Sequence, residues 1–138
     1  MTNDGFIRVG SAVPEMKVAD CAFNTDKILH LMQQAAEQRV YITVFPELCL
    51  TGYTCADLFG QPLLQKAALD SLKKLMQASS GFNNVFLVGL PIMIDQQLYN
   101  CAAVLQKGKI LGIVPKRYIP NYNEFYEKRW FREGRDLN

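Results

Sequence analysis

Hydrophobic and polar positions along this chain switch between two periods, and the switches mark its elements. Phe6–Val13 is an extended apolar stretch closed by Pro14 and predicts a strand. From Asn24, which fits an N-cap with Asp26 in the first turn, apolar residues recur at helical spacing to about Arg39. They are Ile28, Leu31, Met32, Ala35 and Ala36, and His30 falls on the opposite, polar side. Val40–Phe45 is apolar and rich in β-branched residues, which predicts a second strand, stopped by Pro46. A strand–helix–strand succession of this kind predicts parallel pairing.

Gly60-Gln61-Pro62 opens a second helical pattern with proline in the first turn. Leu64, Ala68, Leu72, Leu75 and Met76 form its apolar stripe, and Gly81 is placed to cap it. Three apolar runs follow, Val85–Ile94, Leu98–Leu105 and Ile110–Val114, joined by turns too short for anything but antiparallel neighbours. The expectation is an α/β fold: a mixed sheet with helices on one face.

Composition adjusts this picture only at its edges. With 138 residues, 49% hydrophobic and 20% charged, the chain suits one packed domain or part of one, and is unlike a disordered segment. A formal charge of +2 is too small to point to nucleic acid or an anionic membrane. The aromatic tail from Lys116 to Asp136 carries six basic and four acidic residues, weak for tracking phosphates. Val85–Ile94 is interrupted by Gly89 and Pro91 and is too short to span a bilayer. Met1–Gly5 lacks the basic and apolar regions of a leader, so a soluble, cytoplasmic protein is expected. Cys21, Cys49, Cys55 and Cys101 form no Cys-x-x-Cys pair, and with His30 as the one histidine no metal site is expected. None of the four thiols has a basic residue close in sequence to activate it.

Candidate chemistry sits where two strands end in proline. Glu47 follows Phe45-Pro46 among apolar neighbours. A carboxyl group buried there is costly to ionise and would be tuned upward, as suits a general base; a side chain turned out to solvent is the plain alternative. Lys116 follows Val114-Pro115 in the same way, either beside that carboxylate or, like Arg117, on the surface.

Phe45-Pro46-Glu47 and Lys116 resemble the first two members of the Glu-Lys-Cys triad of the nitrilase superfamily of carbon-nitrogen hydrolases. The strings FPELCLTGY, ADLF and PKRYIPNYNEFYEKRWF narrow the resemblance to the glutamine-hydrolysing domains of glutamine-dependent NAD+ synthetases, from Phe6 through Leu137. The resemblance implies a nitrilase-like α-β-β-α sandwich, present here as an incomplete sheet. It implies a cysteine thiolate attacking glutamine, with Glu47 as general base and Lys116 stabilising the oxyanion. Tyr53 and Tyr122 match substrate-pocket positions and Glu127 a supporting one, although each aromatic fits a core equally well and Glu127 fits a surface pair with Lys128 or Arg129. The ammonia released would serve a separate synthetase domain that uses ATP and magnesium to amidate deamido-NAD+. In the family the cysteine follows the lysine, whereas all four cysteines here precede Lys116. The expectation is therefore the amino-terminal part of such a domain, residues 1–138, without nucleophile or synthetase domain, inactive alone and drawn from a homo-oligomer. Another nitrilase-type amidase or carbamoylase, or a non-catalytic assembly module, are the alternatives. The tail aromatics from Tyr118 to Phe131 would then be left exposed, poorly ordered or covered by another copy.

Overall fold

The computed structural model describes residues 5–137. The leader reading of Met1–Gly5 falls, apart from Gly5, outside them, as does Asn138 at the end of the tail. Five strands form one sheet in the order β1-β2-β3-β4-β5. The first three, β1 (Val9–Ser11), β2 (Ile42–Val44) and β3 (Val85–Ile94), run parallel. Then β4 (Gln97–Gln106) and β5 (Lys109–Pro115) add an antiparallel meander. Helices α1 (Cys21–Glu37) and α2 (Pro62–Ala78) make the two crossovers and pack against each other.

Alternation along the strands puts Phe86, Val88, Leu90, Ala103 and Leu105 against Ile28 and Met32 of α1 and Leu72 and Leu75 of α2, in one buried core. The other face of the sheet is uncovered: Val9, Val44 and Val114 are exposed on it. No helix among the described residues is long and apolar enough to cross a membrane.

Several boundaries differ from the sequence reading, each for a local reason. The first strand is Val9–Ser11 rather than Phe6–Val13, because its partner β2 is itself cut to three residues ahead of Pro46. Asp20, not Asn24, caps α1, accepting the Phe23 N–H at 3.0 Å. Asn24 is buried, accepting from the Lys17 N–H and donating to the carbonyls of Lys17 and Leu50. It therefore ties the helix to the turn after Glu47. Asp26 pairs with Lys74 of α2 instead of serving the helix end. At the end of α2 the cap is Ser79, and Gly81 lies in a short turn with no left-handed backbone. The Ser79 hydroxyl donates to the Met76 carbonyl at 2.6 Å, so a left-handed glycine is not needed there.

The tail departs most from expectation. Tyr118, Tyr122 and Tyr126 are exposed, but Phe131 is buried, edge-on to Phe59 at 4.9 Å, and Trp130 lies 5.9 Å from the same ring. Asp57 holds Arg129 through both carboxylate oxygens, at 2.8 and 3.1 Å, and accepts the Trp130 indole N–H at 3.0 Å. Main-chain bonds from Arg132 to Leu98 and from Gly134 to Lys116 lay the tail along the ends of β4 and β5. A side chain at Gly134 would meet Pro115 at 2.8 Å, so this approach needs glycine.

Gly89 of β3 is the other close approach. A Cβ there would stand 2.4 Å from the Leu48 nitrogen, inside the turn that carries Glu47. Gly89→Ala should lower stability by about 1–3 kcal/mol in urea denaturation. Gly112→Ala, where a Cβ meets nothing within 4 Å, should instead be neutral or add about 0.4–1 kcal/mol. Tail docking should be acid-sensitive. The Arg129 and Trp130 hydrogen bonds hold the Asp57 carboxyl down at about 2 from an ordinary 3.8. Its folded pKa is the lower one, so the contribution is complete above about pH 4 and is lost as pH falls toward 2. Fluorescence of Trp130, the single tryptophan, should report that loss, and Asp57→Asn should remove this transition.

Candidate active site

Strand β2 continues into Phe45, whose N–H donates to the Leu87 carbonyl at 2.9 Å; Pro46 then breaks the ladder. The chain turns through Leu48, held in the left-handed region at φ 54°, and Gly52 at φ 87°. Leu50 returns to β3 through an N–H bond to the Gly89 carbonyl at 3.1 Å. With Leu48, Cys49 and Leu50 turned inward and buried, Glu47 is left projecting from the carboxyl end of the sheet. Its side chain is 42% exposed, so of the two alternatives the sequence leaves open the structure has the partly solvent-facing one. The acid that is buried is Glu127, whose side chain is only 5% exposed.

Lys116 joins the two. Its N–H donates to the Asn100 carbonyl at 2.7 Å, extending the β4–β5 pairing one residue past Pro115. The ammonium then reaches Glu47 Oε1 at 2.7 Å and Glu127 Oε2 at 3.1 Å. The other oxygen of Glu127 accepts the Tyr53 hydroxyl at 2.6 Å. Asn100 donates from Nδ2 to Glu47 Oε1 at 2.5 Å. The cluster opens on a groove of about 310 Å³, walled by Val44, Leu87 and Val114 with Glu47, Asn100 and Lys116 as its polar lining.

Desolvation works to lower the Lys116 pKa, but its hydrogen bonds to Glu47 and Glu127 and the charge of both outweigh it, and the net shift is upward. Lys116 is therefore a fixed cation at neutral pH. Burial of the Tyr53 hydroxyl, then its bond to Glu127, push that phenol upward as well, so it stays a donor. With two carboxylates and one ammonium the cluster carries a net negative charge. Such an arrangement can accept a proton at Glu47 and stabilise an oxyanion at Lys116.

Tyr122 is not brought into this cluster. It is exposed, packs edge-on to Phe125 at 5.8 Å, and no hydrogen bond among the described residues ties it to Glu47 or Lys116. Glu127 pairs with neither Lys128, which reaches Glu133, nor Arg129, which reaches Asp57. All four cysteines are buried. Burial pushes the Cys21, Cys49 and Cys101 thiols to about 11 and raises Cys55, the opposite of activation. Among the described residues no group of three or more His, Cys, Asp or Glu is placed to hold a metal ion. The sequence reading missed Asn100. The signal was one amide inside the apolar run of β4, since a polar group buried in a strand needs a partner.

A mixed sheet with helices on one face thus delivers a glutamate–lysine pair from the ends of two strands. The chain belongs to the carbon-nitrogen hydrolase family, whose pattern matches residues 8–138. It is 35% identical over 134 residues to a glutamine-dependent NAD(+) synthetase of Mycobacterium leprae, covering 97% of this chain and 20% of the relative. It is 36% identical over 119 residues to one from Aquifex aeolicus, covering 86% of this chain and 21% of the relative. The chain thus spans about a fifth of the length of the curated relatives it matches. The crystal structure of a glutamine-dependent NAD(+) synthetase from Cytophaga hutchinsonii superposes with a TM-score of 0.87 at 31% identity, over 92% of this chain and 22% of that one. An amidase from Nesterenkonia sp. superposes with a TM-score of 0.70 at 22% identity, over 90% of this chain and 47% of that one, a likeness of fold.

Removing the ammonium should expose how much the cluster depends on it. Lys116→Met leaves Glu127 buried with Tyr53 alone and should cost about 2 kcal/mol or more in urea denaturation. Adding Glu127→Gln should recover part of that loss; additivity of the two changes would mean that the pair is not coupled.

Proposed function

We propose that residues 1–138 are the amino-terminal part of the glutamine amidohydrolase domain of a glutamine-dependent NAD+ synthetase. On this reading the nucleophilic cysteine and the synthetase domain lie outside these residues. The observation that carries it is the Glu47–Lys116 contact at 2.7 Å, opening on an otherwise apolar groove. Similarity to the synthetases supports the choice of glutamine over other amides; the likeness to the amidase supports the fold.

In the complete domain a thiol enters the groove and Glu47 takes its proton as sulfur bonds to the carboxamide carbon. The carbonyl electron pair moves onto oxygen, where the Lys116 ammonium stabilises it. Glu47 returns the proton to the leaving nitrogen, ammonia departs, and a γ-glutamyl thioester remains. Glu47 then takes a proton from water as the water oxygen bonds to the thioester carbon. The carbon–sulfur bond breaks, Glu47 returns that proton to the departing sulfur, and glutamate and the free thiol are released. Glu127 and Tyr53 keep Lys116 aimed while this happens. Ammonia is consumed in the amidation of deamido-NAD+ by the synthetase domain, with ATP and magnesium. The donor set described here does not fit magnesium, so no step of that half is placed on this chain. The uncovered apolar face of the sheet supports packing by further protein, from the same chain or a second copy in a homo-oligomer.

Two measurements test the reading. The isolated chain should release no ammonia from glutamine and should keep its intact mass with a glutamine-analogue electrophile, because its four thiols are buried and raised. A stoichiometric adduct on Cys49 or Cys55 would overturn it. In the complete gene product Glu47→Gln should cut glutamine-driven NAD+ formation by roughly 10²–10⁴-fold, with ammonium salt restoring it. Unchanged glutamine-driven synthesis would exclude Glu47 as the base.

A further inference from the structure

We propose that Asn100 is a positioning residue that decides which oxygen of Glu47 acts as the base. The inference rests on the glutaminase reading above. Asn100 lies on β4 and is 4% exposed. Its Nδ2 donates to Glu47 Oε1 at 2.5 Å, and the Lys116 ammonium donates to that same oxygen at 2.7 Å. Its carbonyl accepts the Lys116 N–H at 2.7 Å. One buried residue thus holds the glutamate through its side chain and the lysine through its main chain.

The consequence is an asymmetric carboxylate. Two donors, one of them charged, occupy Oε1, while no hydrogen bond among the described residues reaches Oε2. A carboxylate oxygen already accepting two hydrogen bonds is the poorer proton acceptor, so Oε2 receives the thiol proton. The terminal torsion of glutamate is broad and two-fold, and Lys116, itself on a flexible stem, does not by itself stop the carboxylate from swinging. A short amide rooted in a paired strand does. The amide is oriented by the same contact, since only its NH₂ end can donate to a carboxylate.

The test uses the complete gene product, with Asn100→Ala and the isosteric Asn100→Asp, and rates normalised to active-site thiol titrated with a glutamine-analogue electrophile. For Asn100→Ala, kcat per titrated site for glutamine hydrolysis should fall by about 10–100-fold. KM should change by less than about threefold. The acid limb of the kcat profile should move to higher pH, because a donor to the ionised form is gone. Asn100→Asp replaces the donor with a second carboxylate; its kcat should fall further and its acid limb should move in the same direction. Fewer titratable sites with unaltered kcat per site and an unaltered acid limb would make Asn100 structural only, and would overturn the inference. If the unsubstituted protein itself releases no ammonia from glutamine, the glutaminase reading fails; if it does and Asn100→Ala matches it, this inference fails alone.

Discussion

A carboxylate as deeply buried as Glu127 needs a cation and a donor beside it, and that need organises the carboxyl end of the sheet. Lys116 supplies the charge and Tyr53 the hydroxyl, so three separate segments must meet at one point. Glu127 can arrive there only if the tail after β5 folds back. Phe131 against Phe59 and the Asp57 clamp on Arg129 and Trp130 hold it in that course. The surface ion pair adds little energy by itself. Its value is geometric, because it sets the register of the turn on which Glu127 sits.

The second constraint is steric. The turn bearing Glu47 lies so close to β3 that only glycine fits at position 89. That contact brings the carboxylate to the end of the neighbouring strands, within reach of Lys116 and Asn100. Buried Glu127 meets Lys116 from one side and leaves half-exposed Glu47 on the groove side. The difference between the two acids is one of burial: Glu127 is enclosed and Glu47 is open to the groove.

Much of this was legible along the chain. The positions of Glu47 and Lys116 at strand ends were legible: Pro46 stops β2 just before Glu47, and Lys116 directly follows Pro115, the last residue of β5, although its own N–H still pairs with β4. The helical stripes and the meander were legible because burial imposes a period on each. Less legible were the caps: Asp20 displaced Asn24 because Asn24 was drawn inward to satisfy carbonyls of Lys17 and Leu50. The burial of Phe131 was also hidden, since its partner Phe59 lies far upstream and nothing local pairs them.

By itself the order of residues determined the element types, the parallel-then-antiparallel course of the strands and the two ionisable side chains at their ends. These depend on neighbours a few positions away, where periodicity and backbone chemistry act directly. The tertiary structure decided which acid is buried, that Tyr53 and Glu127 share a hydrogen bond, and that Asn100 binds Glu47 and Lys116 together. Those outcomes depend on contacts between distant segments, and whether a polar group is dry or wet is settled only when the surfaces around it have closed.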